Sequence, residues 1–387
     1  MTASIVDLAS TLVRTPSQGG IDDPGPVLSA LEAWLADHGV PVRYLVEDAR
    51  AVALYTEIST EPGPLYCLNA CLDTAPVGDL ATWSTSPFAG ELVDGWLTGR
   101  GSADSKTGAA IFAHLAVEMA QEPESIDGAV GFLFDVDEHT GRFGGIKRFI
   151  AARPNVRGVM IGYPGNSSIV VGARGFWRAR LCTFGTGGHS GSRAPRPDNA
   201  VVKAAALVQA LNETSLPVGP DLDFDFGPKL TVTAISGGDG YTSVPDTCWL
   251  RVDVRLTPSF GPEAAEDLVR SICAQVDDRT PTREPTAIHI EESWPAYRLP
   301  EQSPIVSALR ASAEAAFGRN LPLAVAGPSN VGNYLASVRV PATCGLGVTY
   351  RNLHASDEAV DVASIGPVYE AYRDAVRHLV GPVHLSL

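Results

Sequence analysis

Apolar residues recur at helical spacing over Ser4–Val13 and again over Gly25–Gly39, the second segment closing on the stop Asp37-His38-Gly39. From Val42 to Thr56 apolar and polar positions alternate, which predicts strands, and Leu65–Ala70 is a short apolar run. Thr107–Met119 carries an amphipathic helical pattern. Gly128–Phe134 reads as a buried strand that delivers the run Asp135–His139 at its carboxyl end, followed by a helix over Ile146–Ala152 and a strand over Arg157–Gly162. Strands alternating with helices predict a layered α/β sheet, in which functional groups gather beyond the carboxyl ends of the strands.

The pattern changes after Gly172. Phe176–Thr183 alternates as a strand, Asn199–Leu211 as a helix, and Lys229–Ile235 with Thr247–Leu256 as an antiparallel pair. Glu263–Val276 is a helix and Thr286–Ile290 a strand. This β-α-β-β-α-β order predicts a small domain inserted into the first, residues 175–291 within 1–174 and 292–387. The chain returns through a helix over Pro304–Phe317, a strand over Ala342–Gly347 and a helix over Ile365–Leu379. Pro217–Gly227 is the most loop-like stretch, and no internal repeat is evident.

With 387 residues, 45% of them apolar, the chain can build a sizeable core in two domains. A net charge of −15 and a pI near 4.9 point away from nucleic acid and anionic membranes as partners. The start, MTASIVDLASTLVR, lacks the basic region and apolar run of a signal peptide, and no apolar stretch reaches the roughly 18 residues needed to span a bilayer. Six cysteines without framework spacing (Cys67, Cys71, Cys182, Cys248, Cys273, Cys344) predict reduced thiols and a cytoplasmic protein.

Four segments carry candidate chemistry: Cys67–Asp79 (CLNACLDTAPVGD), Gly99–Lys106 (GRGSADSK), Phe134–Gly145 (FDVDEHTGRFGG) and Arg351–Glu358 (RNLHASDE). Asp104 sits in a loop opening a helix, where a plain N-cap is the competing explanation. Glu138 lies in an acidic strand end, which packing explains poorly because buried carboxylates are costly; a solvated loop acid is the alternative. Cys71 has three readings: a small buried hydrophobe, a thiolate metal ligand, or a nucleophile served by Asp73 and a nearby histidine.

In order and spacing these segments resemble the co-catalytic zinc amidohydrolase and peptidase family of aminoacylase, acetylornithine deacetylase and succinyl-diaminopimelate desuccinylase, with several metal-ligand positions exchanged. Two ions about 3.5–4 Å apart would clamp a water and the scissile carbonyl in such an enzyme, with a carboxylate taking the proton. The resemblance implies an α/β catalytic domain with a mixed sheet and an inserted α+β, ferredoxin-like lid or dimerisation domain. Asp104 falls at the bridging ligand, Glu138 at the general base and His354 at the last histidine ligand. His139 stands where the family has a ligating glutamate. Asp104, His139 and His354 thus make a two-histidine, one-carboxylate set for a single zinc with an open position.

The second metal position has changed chemistry. The family's His-x-Asp reads Cys71-Leu72-Asp73, and its Gly-Glu-Pro turn reads Gly162-Tyr163-Pro164, so the expectation is one ion per chain or none. In the insert, Gly185–Ser190 (GTGGHS) matches the segment whose histidine, here His189, reaches a partner subunit's site and stabilises an oxyanion; a histidine in a glycine-rich surface turn is the alternative. Arg174 matches a carboxylate-holding arginine. Gly327-Pro328-Ser329-Asn330 resembles a substrate-side turn, and Thr242 stands where an Asn is expected. The implied protein is a homodimeric hydrolase of C–N amide bonds acting on a carboxylate-bearing small molecule. A metal-free acyl-transfer or Cys71-dependent enzyme, and a catalytically silent binding relative, stand as alternatives.

Overall fold

The computed structural model describes residues 1–60, 63–193, 198–217, 224 and 226–381, so the expected loop at Pro217–Gly227 lies for the most part outside the described residues. The fold is α/β, and the chain divides into two compact units. The first comprises Met1–Gly172, Arg298–Ala326 and the chain from Asn330 onward. The second comprises Ala173–Tyr297 with the short return Gly327–Ser329.

The first unit is built on a six-stranded mixed sheet in the order Arg43–Glu47, Arg50–Ser59, Ala129–Asp135, Leu65–Cys71, Val156–Ile161 and Ala342–Cys344. Val42–Thr56, read as strands, forms the antiparallel edge hairpin Arg43–Glu47/Arg50–Ser59. The inner strands run parallel. Their near-continuous apolar character follows from burial on both faces, as in LYCLNAC over Leu65–Cys71, where only Tyr66 is partly exposed. The helices Thr2–Val13, Gly25–Asp37, Thr107–Gln121, Pro304–Phe317 and Ile365–Val380 supply Leu12, Leu28, Phe112, Ile305 and Tyr372 to one core with Leu68, Phe132 and Phe134 of the sheet.

Register then decides where the chemistry gathers. Cys71 pairs with Asp135 and Ile161 with Cys344, while Ile161 also pairs with Asn69, so four neighbouring parallel strands end within two residues of one another. The chain leaving them carries Asp73, Glu138 with His139, and Tyr163. One edge of the sheet therefore collects residues far apart in sequence, as parallel α/β topology requires.

The second unit has a four-stranded antiparallel sheet, Lys229–Ser236, Thr247–Leu256, Gly175–Phe184 and Ala287–Trp294 in spatial order, with helices Ala200–Glu213 and Pro262–Arg279. This is the β-α-β-β-α-β arrangement of a ferredoxin-like domain. Alternation places Cys248, Leu250, Val252 and Val254 inward against Leu207 and Val269. Asn199 caps the first helix, its Oδ1 accepting from Val201 N at 2.9 Å. Lys203, fully buried, reaches Asp277 Oδ1 at 2.7 Å and so ties the two helices together. The last strand extends to Trp294, beyond the expected Ile290, because its pairing with Gly175–Phe184 continues past a bulge between Ile290 and Glu292.

Phe112 has no exposure, meets Tyr372 edge-on at 4.8 Å between ring centroids, and leaves no room for a Cβ at Gly162. Phe112→Ala should lower the stability of the first unit by about 3–5 kcal/mol in urea unfolding. A loss below about 1 kcal/mol would show that this packing is not what holds the helix to the sheet.

Candidate active site

Asp104 is presented by a sharp turn. Gly101 begins it at φ 83°, and a Cβ there would meet Thr74 Cγ2 at 2.4 Å, so only glycine fits. The following helix, Thr107–Gln121, starts with no side-chain cap, so Asp104 is not its N-cap. Asp104 is instead held through the buried carboxylate of Glu358. Glu358 Oε1 accepts from the backbone N–H of Gly101 (3.1 Å), Ala103 (2.9 Å) and Asp104 (3.3 Å), while Oε2 pairs with Arg100. Arg100 also donates to the carbonyl of His354 at 3.2 Å. Beside them Lys106, with no exposure, donates to Leu12 O at 2.8 Å and Thr15 O at 2.7 Å, anchoring the first helix, and burial pushes its ammonium down to about 7.

Asp73 grips the loop after Asp135, accepting from Glu138 N at 3.1 Å and His139 N at 2.9 Å. Above it stands the His139 ring, with Nδ1 3.5 Å from Asp73 Oδ2 and 3.6 Å from Glu138 Oε2, and Nε2 3.5 Å from Asp104 Oδ2. His354, held at φ 60°, places Nε2 2.9 Å from the same Asp104 oxygen. Burial opposes the charged ring, but Asp104, Asp73 and Cys71 outweigh it and push His139 well up. Burial likewise opposes the Asp104 carboxylate, and His139 with His354 overcomes it to hold that group below its usual range. Glu138 is pushed up to about 8 by burial and by Asp104, Asp73 and Asp137, against the pull of His139. Asp137, accepting from Gly144 N and Gly145 N, is pushed up to about 6 by burial.

The ligand atoms form two overlapping groups, each with its members within 4.8 Å of one another: Asp104, His139 and His354, and Cys71, Glu138 and His139. Either could hold a cation. Both ring nitrogens of His139 are buried without a hydrogen bond, which suits a ring destined for an ion. Cys71 is 4% exposed, its Sγ 3.8 Å from Asp104 Oδ1 and 3.5 Å from Ser105 Oγ. Burial, with Asp104 and Asp73, pushes this thiol well up despite His139, so its surroundings disfavour the thiolate. Burial and the carboxylates of Asp104 and Glu138 do the same to the phenol of Tyr163.

The other expected residues lie elsewhere. His189 belongs to the second unit, exposed on a short ladder with Ser243–Val244, and its Nδ1 accepts from Gly191 N at 3.0 Å. A neutral ring so bonded carries its proton on Nε2 and presents a donor outward. In the same unit Arg174 donates to Gly327 O at 2.9 Å and Gly227 O at 3.1 Å, and Ser329 receives a bond from Arg255 at 3.2 Å while donating to Arg174 O. Asn330, in the first unit, is 2% exposed, and its Oδ1 caps the helix Val331–Ser337. Arg100 and Glu358, inside two of the motifs, received no role from the sequence; their opposite charges within motifs that otherwise carry chemistry were the available signal.

A profile of the family described as Peptidase family M20/M25/M40 matches residues 67–378. A succinyl-diaminopimelate desuccinylase of Rhodospirillum centenum is 27% identical over 384 residues, covering 95% of each chain. The M20 family metallo-carboxypeptidase of Sulfolobus solfataricus superposes with a TM-score of 0.78 at 16% identity, covering 96% of this chain and 98% of that one. A Bacillus subtilis protein described as a dinuclear metal binding peptidase from the same family superposes at 0.72, with 14% identity and 98% of each chain covered.

Removing the charge of Glu358 leaves Arg100 buried without its anion. Glu358→Gln should cost about 3–5 kcal/mol in denaturant unfolding, the scale for breaking a buried pair by removing one partner. A change under about 1 kcal/mol would show that the backbone donors alone hold the turn.

Proposed function

Since the chain belongs to the M20/M25/M40 peptidase family and is a hydrolase of amide bonds, we propose that it cleaves an N-acyl or peptide amide of a carboxylate-bearing small molecule. The observation that carries this reading is the convergence of Asp104, His139 and His354 beside Glu138 at the carboxyl edge of the sheet. The three would hold one divalent ion, with zinc favoured by the imidazole-rich donor set. Zinc, when bound, would polarise the amide carbonyl and acidify a water.

Glu138 is the general base: its largely buried carboxylate takes the proton of the attacking water and returns it to the leaving nitrogen. A base must be ionised, and burial with Asp104, Asp73 and Asp137 pushes Glu138 up to about 8 against the pull of His139, so a cation held beside it is what would bring it down to a working base. Arg174 offers its guanidinium to the substrate carboxylate, with Ser329 holding the backbone of Arg174 in place. Tyr163 borders the reacting end, and Asn330 contributes by fixing the start of its helix. The name carried by the curated relatives makes N-succinyl amino dicarboxylates the first substrates to try.

His189, with its donor on Nε2, is assigned to the oxyanion and is delivered across a homodimer. Support comes from the second unit, whose edge strands Lys229–Ser236 and Ala287–Trp294 expose Ile235 and Ile290. All six cysteines are unpaired, which favours the cytoplasm, and no helix among the described residues is long and apolar enough to cross a membrane.

Two outcomes check this. Glu138→Gln should lower turnover of N-acyl amino acids by about 10²-fold or more, and a near wild-type rate would remove Glu138 from the base role. His189→Ala should be similarly crippled, and mixing it with Glu138→Gln protein should restore part of the activity if sites are shared between subunits. No recovery on mixing would place His189 outside the partner's site.

A further inference from the structure

The sheet of the second unit has two unlike faces. Strand alternation turns Ala179, Leu181, Leu250 and Val252 onto the helices Ala200–Glu213 and Pro262–Arg279. The opposite face therefore takes Arg178, Arg180, Arg251, Asp253 and Arg255. Arg251 and Arg180 are direct cross-strand partners, His289 stands next in the same row, and all three are exposed. Like charges set directly opposite one another oppose strand pairing. A chain with 44 acidic and 29 basic residues had carboxylates to place beside them, yet among the described residues neither arginine makes an ion pair. Asp253, one row along, is already engaged by Arg178 at 2.9 Å and Arg255 at 2.8 Å. The Arg180 guanidinium lies over the Trp249 ring, 4.3 Å from its centroid, and the His289 ring is 5.6 Å from the same indole. A guanidinium laid on an aromatic face keeps the N–H groups of its edge free to receive a carboxylate.

We propose that this open face is a collecting surface for small multivalent carboxylates, with Arg180 and Arg251 as its receiving groups. The proposal rests on the carboxylate-bearing substrate named above and adds residues outside the reacting site that gather it. Charge complementarity selects the occupant. A long polyanion would have to lie across the acidic remainder of a chain of net charge −15, whereas a small anion meets only the row itself. Continuity along the sheet gives the surface its use. Arg255 lies on the same face and the same strand as Arg251, about 14 Å further on at about 3.4 Å per residue. It donates to Ser329, which holds the backbone of Arg174. An anion caught at Arg180 and Arg251 is thus already within the field of the arginine assigned to the substrate carboxylate.

The probe is propane-1,2,3-tricarboxylate, titrated by calorimetry into the full-length protein at about 0.01 M ionic strength, where charges act over about 30 Å. Binding should weaken about tenfold or more in Arg180→Gln/Arg251→Gln and recover in part in Arg180→Lys/Arg251→Lys, which keeps the charge without the planar fork. In the wild-type protein it should fade at about 0.15 M, as the screening length drops to about 8 Å. Arg157→Gln/Arg339→Gln removes the same charge from exposed positions of the first unit and should bind as the wild type does. No binding by the wild type, equal affinity in Arg180→Gln/Arg251→Gln, or an equal loss in the first-unit control would overturn the proposal. So would a change in molecular mass of Arg180→Gln/Arg251→Gln by ultracentrifugation, which would make this face a contact between copies of the chain. Turnover is read separately. Tricarboxylate binding that depends on Arg180 and Arg251, in a protein that hydrolyses no N-succinyl amino dicarboxylate, would uphold the surface and remove that substrate from the proposed function instead.

Discussion

Most of the site hangs on the buried pair of Arg100 with Glu358. One carboxylate binds the N–H groups of Gly101, Ala103 and Asp104 in the Gly99–Lys106 turn, and the guanidinium that neutralises it holds the carbonyl of His354. Two segments more than 250 positions apart are thereby set against each other, and their projecting side chains, Asp104 and His354, meet at 2.9 Å. Burying the two charges is costly, and the three backbone bonds to Glu358 help offset that. The gain is a rigid frame for the proposed ligand pair, since such a site needs its groups placed to a fraction of an ångström.

The sheet supplies the other half. Parallel strands ending within two residues of one another deliver Asp73, Glu138 with His139, and Tyr163 to one edge. Asp73 clamps the backbone of the Glu138–His139 loop through two N–H groups, and its carboxylate lies 3.5 Å from the His139 ring. Carboxylates crowd this edge: Asp73, Asp104, Asp135, Asp137 and Glu138 are all wholly or largely buried. Such a concentration is tolerable where cationic charge, from His139, His354 or an ion, compensates it. Asp135, deepest of them, is pushed well up by burial and by its acidic neighbours Asp137, Asp73 and Glu138.

Much of this was legible in the chain itself. Periodicity marked the helices and strands because one-sided burial imposes 3.6- and 2-residue repeats. The βαββαβ insert followed from element order, and the acidic strand end after Phe134 announced chemistry because packing gives it no purpose. The motifs carried Asp104, Glu138, His139 and His354 by their spacing, and the family followed from them. The resemblance also implied that Cys71 and Tyr163 stand where the family carries metal ligands.

It could not show what Asp73 does without a histidine at position 71. That depended on which ring the fold brings to its carboxylate, and the answer, His139, lies 66 positions away at the end of another strand. Nor could it assign Glu358, whose value comes from backbone N–H groups that any sequence possesses and only a particular turn aligns. The difference has a single physical origin. Periodicity and residue type record what each segment must bury or expose, whereas hydrogen bonds between distant segments depend on register and backbone direction, which are set only when the sheet and its connections have packed.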